Sequence, residues 1–185
     1  YKEITARGGG IMQTVEATRT ADRDVLMASA RRRARRALRH GITTIEVKSG
    51  YGLNLRTEMK ILEVVRDLAG EGPLEIVPTF LGAHSVPREA RDHREAHVQA
   101  IIEEWIPVVA DARLAEFCDV FCESVAFSVA ESERILKAGL AAGMRPKIHA
   151  EQLGHLGGAA LAARINAVSA DHLDFADDGD LAAMA

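Results

Sequence analysis

The chain has few cysteines, no long apolar run and no leader-like start. Its two cysteines, Cys118 and Cys122, are too few for a disulfide framework, so we expect reduced thiols packed in the core. No apolar stretch approaches the roughly 18 uninterrupted residues that a membrane-spanning helix needs. The sequence begins Tyr1-Lys2-Glu3-Ile4, without a basic segment followed by an apolar one, so no signal peptide is visible. These absences predict a cytoplasmic protein with no membrane partner.

An excess of positive charge is also missing. The 23 Lys and Arg against 27 Asp and Glu leave a formal net charge of -4, which does not favour bulk nucleic-acid binding. The basic run from Arg31 to Arg36 lies in a helical pattern whose alanines and leucines mark a buried stripe. Its arginines are therefore expected on the solvated face of an outer helix, and no nucleic-acid partner is predicted. With 48% hydrophobic and 27% charged residues, the 185-residue chain has the composition of one globular domain.

What the sequence does contain is a regular alternation of strand and helix patterns. Apolar and β-branched runs predict five strands, at residues 42–47, 74–81, 118–122, 147–150 and 166–170. Periodicity and capping signals predict helices at residues 21–39, from Asn54 onward, at 94–114 with a kink or split at Pro107, at 128–143 and at 157–164. No hairpin signal interrupts them, so we expect parallel strands joined by right-handed crossovers. The choice is between a doubly wound sheet and part of a (β/α)8 barrel.

The ends of the chain bear on that choice. The sequence has no initiator methionine and stops at residues 181–185 within a helical pattern, which we interpret as an excised segment. A complete barrel typically needs about 250 residues, so missing ends favour the barrel. The predicted fold class is therefore α/β: a partial parallel (β/α)8 TIM barrel that lacks its first and last strands.

Three histidines stand at or near the ends of predicted strands: His84, His149 and His172. Side chains at the carboxyl ends of parallel strands meet at one end of the sheet, where ligands bind. Imidazoles gathered there supply metal ligation, proton transfer and hydrogen bonds at neutral pH. An enzyme is the leading hypothesis, and histidines with purely structural hydrogen bonds are the simpler alternative.

The residues beside the histidines suggest different tasks. His149 precedes a carboxylate and the amide of Gln152, a setting in which the imidazole can hold a divalent metal while its neighbours orient a substrate. His172 follows an aspartate, as a general acid or base often does. Tyr51 lies on a glycine-flanked turn that lacks the spacing of a phosphate-binding loop. Glu123 closes a strand, either as a carboxylate of the site or as a structural ion-pair partner.

Taken together, these motifs resemble the imidazolonepropionases, a family of the amidohydrolase superfamily that acts in histidine degradation. The resemblance extends over essentially the whole chain, and the joint order of the motifs is specific. The matching stretches are ARGGGI (6–11), EVKSGYGL (46–53), TFLGAH (79–84), DVFCE (119–123), KIHAEQL (147–153) and SADHL (169–173).

The resemblance implies a metal-dependent barrel of the amidohydrolase type, accompanied by a small β-domain built from both termini. Residues 1–185 would be the central part of the catalytic barrel domain, and the flanking β-domain would be absent. By the same resemblance, His149 is a ligand to one zinc or iron ion, and His172 is the catalytic histidine. Tyr51, His84 and Gln152 are the expected substrate contacts.

The departures from the family pattern are omissions. The resemblance expects a His-x-His pair before Tyr1, an aspartate after Ala185 and an arginine for the propionate near the first strand; it also expects Glu123 near the metal. A single imidazole cannot retain a divalent ion tightly, because such sites need three or four protein ligands. We therefore expect negligible activity and weak metal retention for this chain alone.

For the complete enzyme, the resemblance implies opening of the cyclic amide of 4-imidazolone-5-propanoate to give N-formimidoyl-L-glutamate. The partner is then a small-molecule substrate, and the full-length form is expected to be a homodimer. Two alternatives stay open: a related amidohydrolase or deaminase acting on another cyclic amide or amidine, and a non-catalytic, doubly wound small-molecule-binding domain. Against the second stands the absence of a glycine-rich phosphate turn.

Overall fold

The fold alternates helices and parallel strands along the whole described chain. The computed structural model describes residues 11–185, so all but the last residue of the ARGGGI motif lies outside the described residues. The strands are β1 (Thr44–Lys48), β2 (Glu75–Ala83), β3 (Phe117–Cys122), β4 (Arg145–Ala150) and β5 (Ser169–His172). The helices are α1 (Ile11–Thr20), α2 (Arg23–Arg39), α3 (Leu55–Ala69), α4 (Arg94–Ala100), α5 (Ile106–Asp111), α6 (Val129–Ala141), α7 (Gly158–Arg164) and α8 (Asp178–Met184).

The five strands form one parallel sheet in the order β1-β2-β3-β4-β5. A doubly wound sheet reverses its strand order at a switch point, and the described strands contain no such reversal. Consecutive neighbours in one direction are instead the order of a (β/α)8 barrel. The prediction of a partial barrel is supported at this level, and the doubly wound alternative was wrong.

Contacts across the concave face show that the sheet curls. Lys48 on β1 donates to Asp171 on β5 at 2.5 Å, although three strands lie between them. Since neighbouring strands lie about 4.8 Å apart, a flat sheet would separate β1 from β5 by about 19 Å. No lysine–aspartate pair bridges that distance. A second contact, between Lys147 on β4 and Glu46 on β1 at 3.0 Å, requires the same curvature.

The convex face packs closely against the helices. Both cysteines are fully buried there, as predicted, and each lies against a helical glycine. A Cβ on Gly139 of α6 would stand 2.6 Å from that of Cys118, and a Cβ on Gly158 of α7 would stand 3.2 Å from the Cys122 sulfur. Burial raises the pKa of Cys122 to about 11, so its thiol stays protonated at neutral pH.

The predicted helix signals are largely confirmed. The Asn54 side chain accepts the Thr57 N–H at the start of α3, and Ser128 forms the predicted capping box with Glu131 at the start of α6. The predicted irregularity near Pro107 is also present. A π-helical segment (Ile101–Trp105) joins α4 to α5, and Pro107 occupies the first turn of α5, where a missing N–H costs least.

Strand boundaries differ more from the prediction. The last strand was expected at residues 166–170 but runs from Ser169 to His172, because Asn166 adopts a left-handed backbone conformation and the chain enters the sheet later. His172 therefore ends the last strand instead of following it. His149 lies within β4, as predicted, and His84 directly follows β2. In residues 11–185, no helix is both long enough and apolar enough to cross a bilayer.

Candidate active site

Four predicted site residues form a continuous row of rings at the carboxyl end of the sheet. Tyr51 meets His84 edge-on with 5.2 Å between ring centroids. His84 lies 6.3 Å from His149, which in turn lies 5.4 Å from His172. Phe121 packs against the two central rings at 5.9 and 6.2 Å. The parallel sheet thus brings together side chains that are up to 121 residues apart in sequence, from Tyr51 to His172.

The turn after β1 carries Tyr51 and is held from inside by Glu58. The fully buried Glu58 carboxylate accepts three backbone N–H groups, from Gly50 and Gly52 at 2.7 Å and from Leu53 at 2.8 Å. The Gly50 carbonyl in turn lies 2.9 Å from His84 Nδ1. Burial lowers the pKa of His84, which keeps the ring neutral at physiological pH.

His149 is oriented by a buried ion-pair cluster. Its Nδ1 lies 3.1 Å from Oδ1 of Asp119, and the other oxygen of Asp119 accepts from Lys48 at 2.8 Å. Burial alone would raise the pKa of Asp119, but the His149 hydrogen bond and the positive charge of Lys48 bring that pKa below its ordinary value. An ionised Asp119 only accepts, so the geometry favours a proton on Nδ1 and a free lone pair on Nε2 of His149.

The same cluster contains the groups that can contact a metal. Asp119, His149 and Asp171 each offer a ligand atom within 4.8 Å of the others. The Lys48 ammonium already bridges the two aspartates, so a second cation between them is disfavoured. His149 Nε2, with Asp171 Oδ2 at 3.6 Å, is the remaining donor position. The described residues therefore fit one face of a metal site and do not supply the three protein ligands that a divalent ion ordinarily needs.

A second group of possible ligands lies apart from the row of rings. His155 contacts Asp180 at 2.9 Å and Asp177 at 3.6 Å, and the His155 side chain is half exposed. The hydrogen bond that the Asp180 carboxylate accepts from His155 raises the pKa of His155. The two aspartates already form the capping box of α8, which accounts for their proximity without a metal.

Glu123, which directly follows β3, contacts the loop beyond β4 that carries Gln152. The nearly buried Glu123 carboxylate accepts the backbone N–H groups of Gln152 at 2.7 Å and Leu153 at 2.9 Å. Glu123 thus holds the loop that carries Gln152. The Gln152 side chain is partly exposed and, within residues 11–185, makes no hydrogen bond.

The sequence analysis missed Lys48, Asp119 and Glu58 as parts of this arrangement. A usable signal was present for Lys48, because β1 reads Thr-Ile-Glu-Val-Lys and places polar residues on a single face. Asp119 likewise is the one charged residue of β3, which reads Phe-Cys-Asp-Val-Phe-Cys. Buried parallel strands are normally apolar throughout, so that alternation indicated a polar interior. Glu58 lies in the first turn of α3, where acidic residues are common, and no sequence pattern distinguishes it from an ordinary one.

The sheet order and the row of imidazoles at its carboxyl end define the class: a barrel-type α/β protein whose site occupies the position used by barrel enzymes. No family model matches the chain. Curated relatives do match it along its entire length, and they are imidazolonepropionases: 52% identical in Myxococcus xanthus, 52% in Symbiobacterium thermophilum and 48% in Alkaliphilus metalliredigens. The predicted resemblance to the imidazolonepropionases is thereby confirmed over 100% of this chain.

The chain spans 44% of the length of each of these relatives. Among solved structures, a dipeptide epimerase from Methylococcus capsulatus complexed with Mg ion aligns over 85% of this chain and 55% of its own. Its identity is 17% and its TM-score is 0.31, a likeness too weak to bear on the fold.

Proposed function

We propose that this chain is the central part of the catalytic barrel of an amidohydrolase-type enzyme. The enzyme opens the cyclic amide of 4-imidazolone-5-propanoate by hydrolysis and yields N-formimidoyl-L-glutamate. The observation that carries the proposal is the whole-chain similarity to imidazolonepropionases. The row of rings is consistent with it, because the residues that the resemblance assigns to substrate, metal and catalysis are neighbours in space.

A zinc or iron ion is proposed as the cofactor, with His149 Nε2 as one of its ligands. When bound, such an ion supplies a nucleophilic water at neutral pH. The remaining ligands are proposed to come from a His-x-His pair and an aspartate in the rest of the enzyme, which also includes the flanking β-domain. Asp119 contributes by holding the His149 ring in the orientation that leaves Nε2 facing Asp171.

The other residues of the row are proposed to act on the substrate. His172 is exposed and its ring lies beside that of His149, so it can hydrogen-bond the carbonyl oxygen under attack and stabilise the negative charge that develops there. Tyr51 and His84 line the other side of the row, and Gln152 follows His149 in the next loop. Their contribution is orientation of the ring and its propionate tail.

The activity is tested on the whole protein that contains this chain. Wild type should consume 4-imidazolone-5-propanoate, whereas a panel of other cyclic amides and amidines should react far more slowly. Preference for a different cyclic amide or amidine would instead support the related amidohydrolase or deaminase. The 185-residue chain alone should be inactive. The proposed cytoplasmic location and homodimeric state are separate predictions that this assay leaves aside.

Single substitutions then test the roles of the histidines. His149→Ala should lose both bound metal and turnover, and His172→Ala should keep the metal and lose most of kcat. His155→Ala is the matched control, because His155 contacts aspartates outside the row of rings; this variant should keep both. Full metal content in His149→Ala would remove His149 from the ligand set, and full kcat in His172→Ala would remove its catalytic role.

A further inference from the structure

We propose that Glu58, together with Arg19, is a positioning residue for Tyr51 and His84. The term "positioning" rests on the proposed function, in which those two side chains contact the substrate. Both residues hydrogen-bond the backbone of the turn after β1, one through its N–H groups and the other through its carbonyl groups. Glu58 accepts its N–H groups, and Arg19 donates to its carbonyls, to Gly52 at 2.6 Å and to Leu53 at 3.2 Å.

The turn is shaped to surround a carboxylate. The N–H groups of Gly52 and Leu53 point at Oε1 of Glu58 and that of Gly50 points at Oε2, the arrangement of an anion-binding nest. In this chain the nest is filled by the protein's own Glu58 rather than by a bound anion. A Cβ at Gly52 would stand 2.9 Å from Glu58 Oε1, so only glycine permits this approach. The glycine-flanked turn is therefore occupied from within, which explains its composition without a phosphate ligand.

Gly50 connects the Glu58 hydrogen bonds to His84. Gly50 has a φ of +94°, and a Cβ there would stand 2.7 Å from the Leu81 carbonyl oxygen, so this position requires glycine. Its N–H is bound by Glu58, and its carbonyl faces His84 Nδ1 at 2.9 Å. A carbonyl only accepts, so this contact requires a proton on Nδ1 of His84. Glu58 thereby sets both the place of the acceptor and the protonated nitrogen of the ring.

Arg19 ties the same turn to the segment after β2. Besides the two carbonyls of the turn, its guanidinium contacts Glu89 at 2.7 Å. Glu89 lies in the stretch that follows His84, so Arg19 spans the two loops that carry the Tyr51–His84 pair. Glu58 binds the N–H groups of the turn that carries Tyr51, and Arg19 binds its carbonyl groups. Together these hydrogen bonds fix the edge-on contact of Tyr51 with His84.

The test measures the ring nitrogens of His84 in the 15N-labelled whole protein that contains this chain, without added metal or substrate. Long-range proton–nitrogen correlation distinguishes a ring fixed as the Nδ1–H tautomer from one that averages between tautomers. Wild type should show the fixed Nδ1–H pattern at His84. Glu58→Gln replaces one acceptor oxygen by an N–H donor, so the His84 signals should shift toward the averaged positions.

Glu151→Gln is the matched control. Glu151 is also fully buried and also accepts three backbone N–H groups, but those belong to Leu156, Gly157 and Ala159 at the start of α7. Its substitution should leave the His84 signals unchanged. Equal shifts of His84 in both variants would mean that loss of any buried carboxylate loosens the structure, and the proposal would be overturned.

Arg19→Gln covers the case in which Glu58→Gln does not fold. The Arg19 side chain is partly exposed, and its removal leaves the Glu58 nest intact. Arg19→Gln should shift His84 in the same direction by a smaller amount, and unchanged His84 signals in that variant would overturn the proposal. These readouts need neither metal nor substrate. If the protein does not hydrolyse the imidazolone but shows the expected His84 shifts, the proposed function is wrong. The positioning of the two rings by Glu58 and Arg19 is then still supported.

Discussion

Replacing Lys48 with Met tests whether the ion pairs across the concave face stabilise the curled sheet. Lys48 bridges Asp119 and Asp171, and the Asp119 side chain is fully buried. The substitution keeps the aliphatic part of the side chain and removes the ammonium. Asp119 is then left inside the structure with His149 as its partner, while Asp171 is exposed enough to be hydrated.

The magnitude follows from what is left behind. Breaking a buried pair costs about 3–5 kcal/mol, because the remaining charge stays uncompensated. Lys48 retains some solvent contact, so we expect the lower end, about 3 kcal/mol. With a urea m value of about 2–3 kcal/mol/M for a domain of this size, the unfolding midpoint should fall by about 1 M or slightly more.

Two comparisons make this measurement decisive. Lys137→Met removes an exposed pair with Glu133 four residues away in the same helix, and should cost about 0.5 kcal/mol or less. The double variant Lys48→Met with Asp119→Asn should be more stable than the sum of the single effects predicts, by about 1–3 kcal/mol. A Lys48 cost no larger than that of Lys137, or strict additivity with Asp119, would refute the role of this cluster.

Two further predictions concern the helices. The hydrogen bond from Arg94 holds the Glu131 pKa at about 2 instead of its usual 4.5. The stability that ionised Glu131 contributes is therefore complete above pH 4.5 and lost as the pH falls toward about 2. The difference in unfolding free energy between wild type and Glu131→Gln should become smaller between these two pH values. A difference that does not change with pH would contradict this prediction. Gly158→Ala should cost about 1–3 kcal/mol, because the new Cβ would stand 2.7 Å from that of Ala150. Gly154→Ala, with nothing within 4 Å, should stay within about 0.5 kcal/mol, and equal thermal denaturation of the two variants would contradict this account.

The alternation of helices and parallel strands was accessible from sequence because local signals and connectivity agree. Capping residues such as Asn54 and Ser128 mark helix starts by a hydrogen bond within a few residues, and both were identified correctly. The choice between a doubly wound sheet and a barrel depends on strand order. No local pattern encodes that order, so only the structure decided it. The last strand was misplaced because its entry into the sheet depends on the left-handed turn at Asn166, which the composition of that stretch does not reveal.

The predicted site residues came together for a topological reason. Parallel strands in one sheet end on the same side, so residues at those ends become neighbours whatever their separation in sequence. This rule located Tyr51, His84, His149 and His172 in one row. It says nothing of residues such as Glu58, whose part depends on a side chain folding back onto the preceding turn. Such a contact is set by the rotamer and by two glycines, and it appears only in three dimensions.

The charged layer inside the sheet is the more informative feature for function. Barrel interiors are ordinarily filled by branched apolar side chains, and buried ion pairs are often no more stabilising than apolar residues of equal volume. Stability alone therefore gives no reason for Lys48, Asp119 and Asp171 to occupy this face. An apolar layer could not supply an acceptor at Nδ1 of His149, and Asp119 does. A charged residue within a buried parallel strand therefore indicates a functional site by itself. Here Asp119 is such a residue, and it orients His149, whose position at the strand end alone would suggest a ligand.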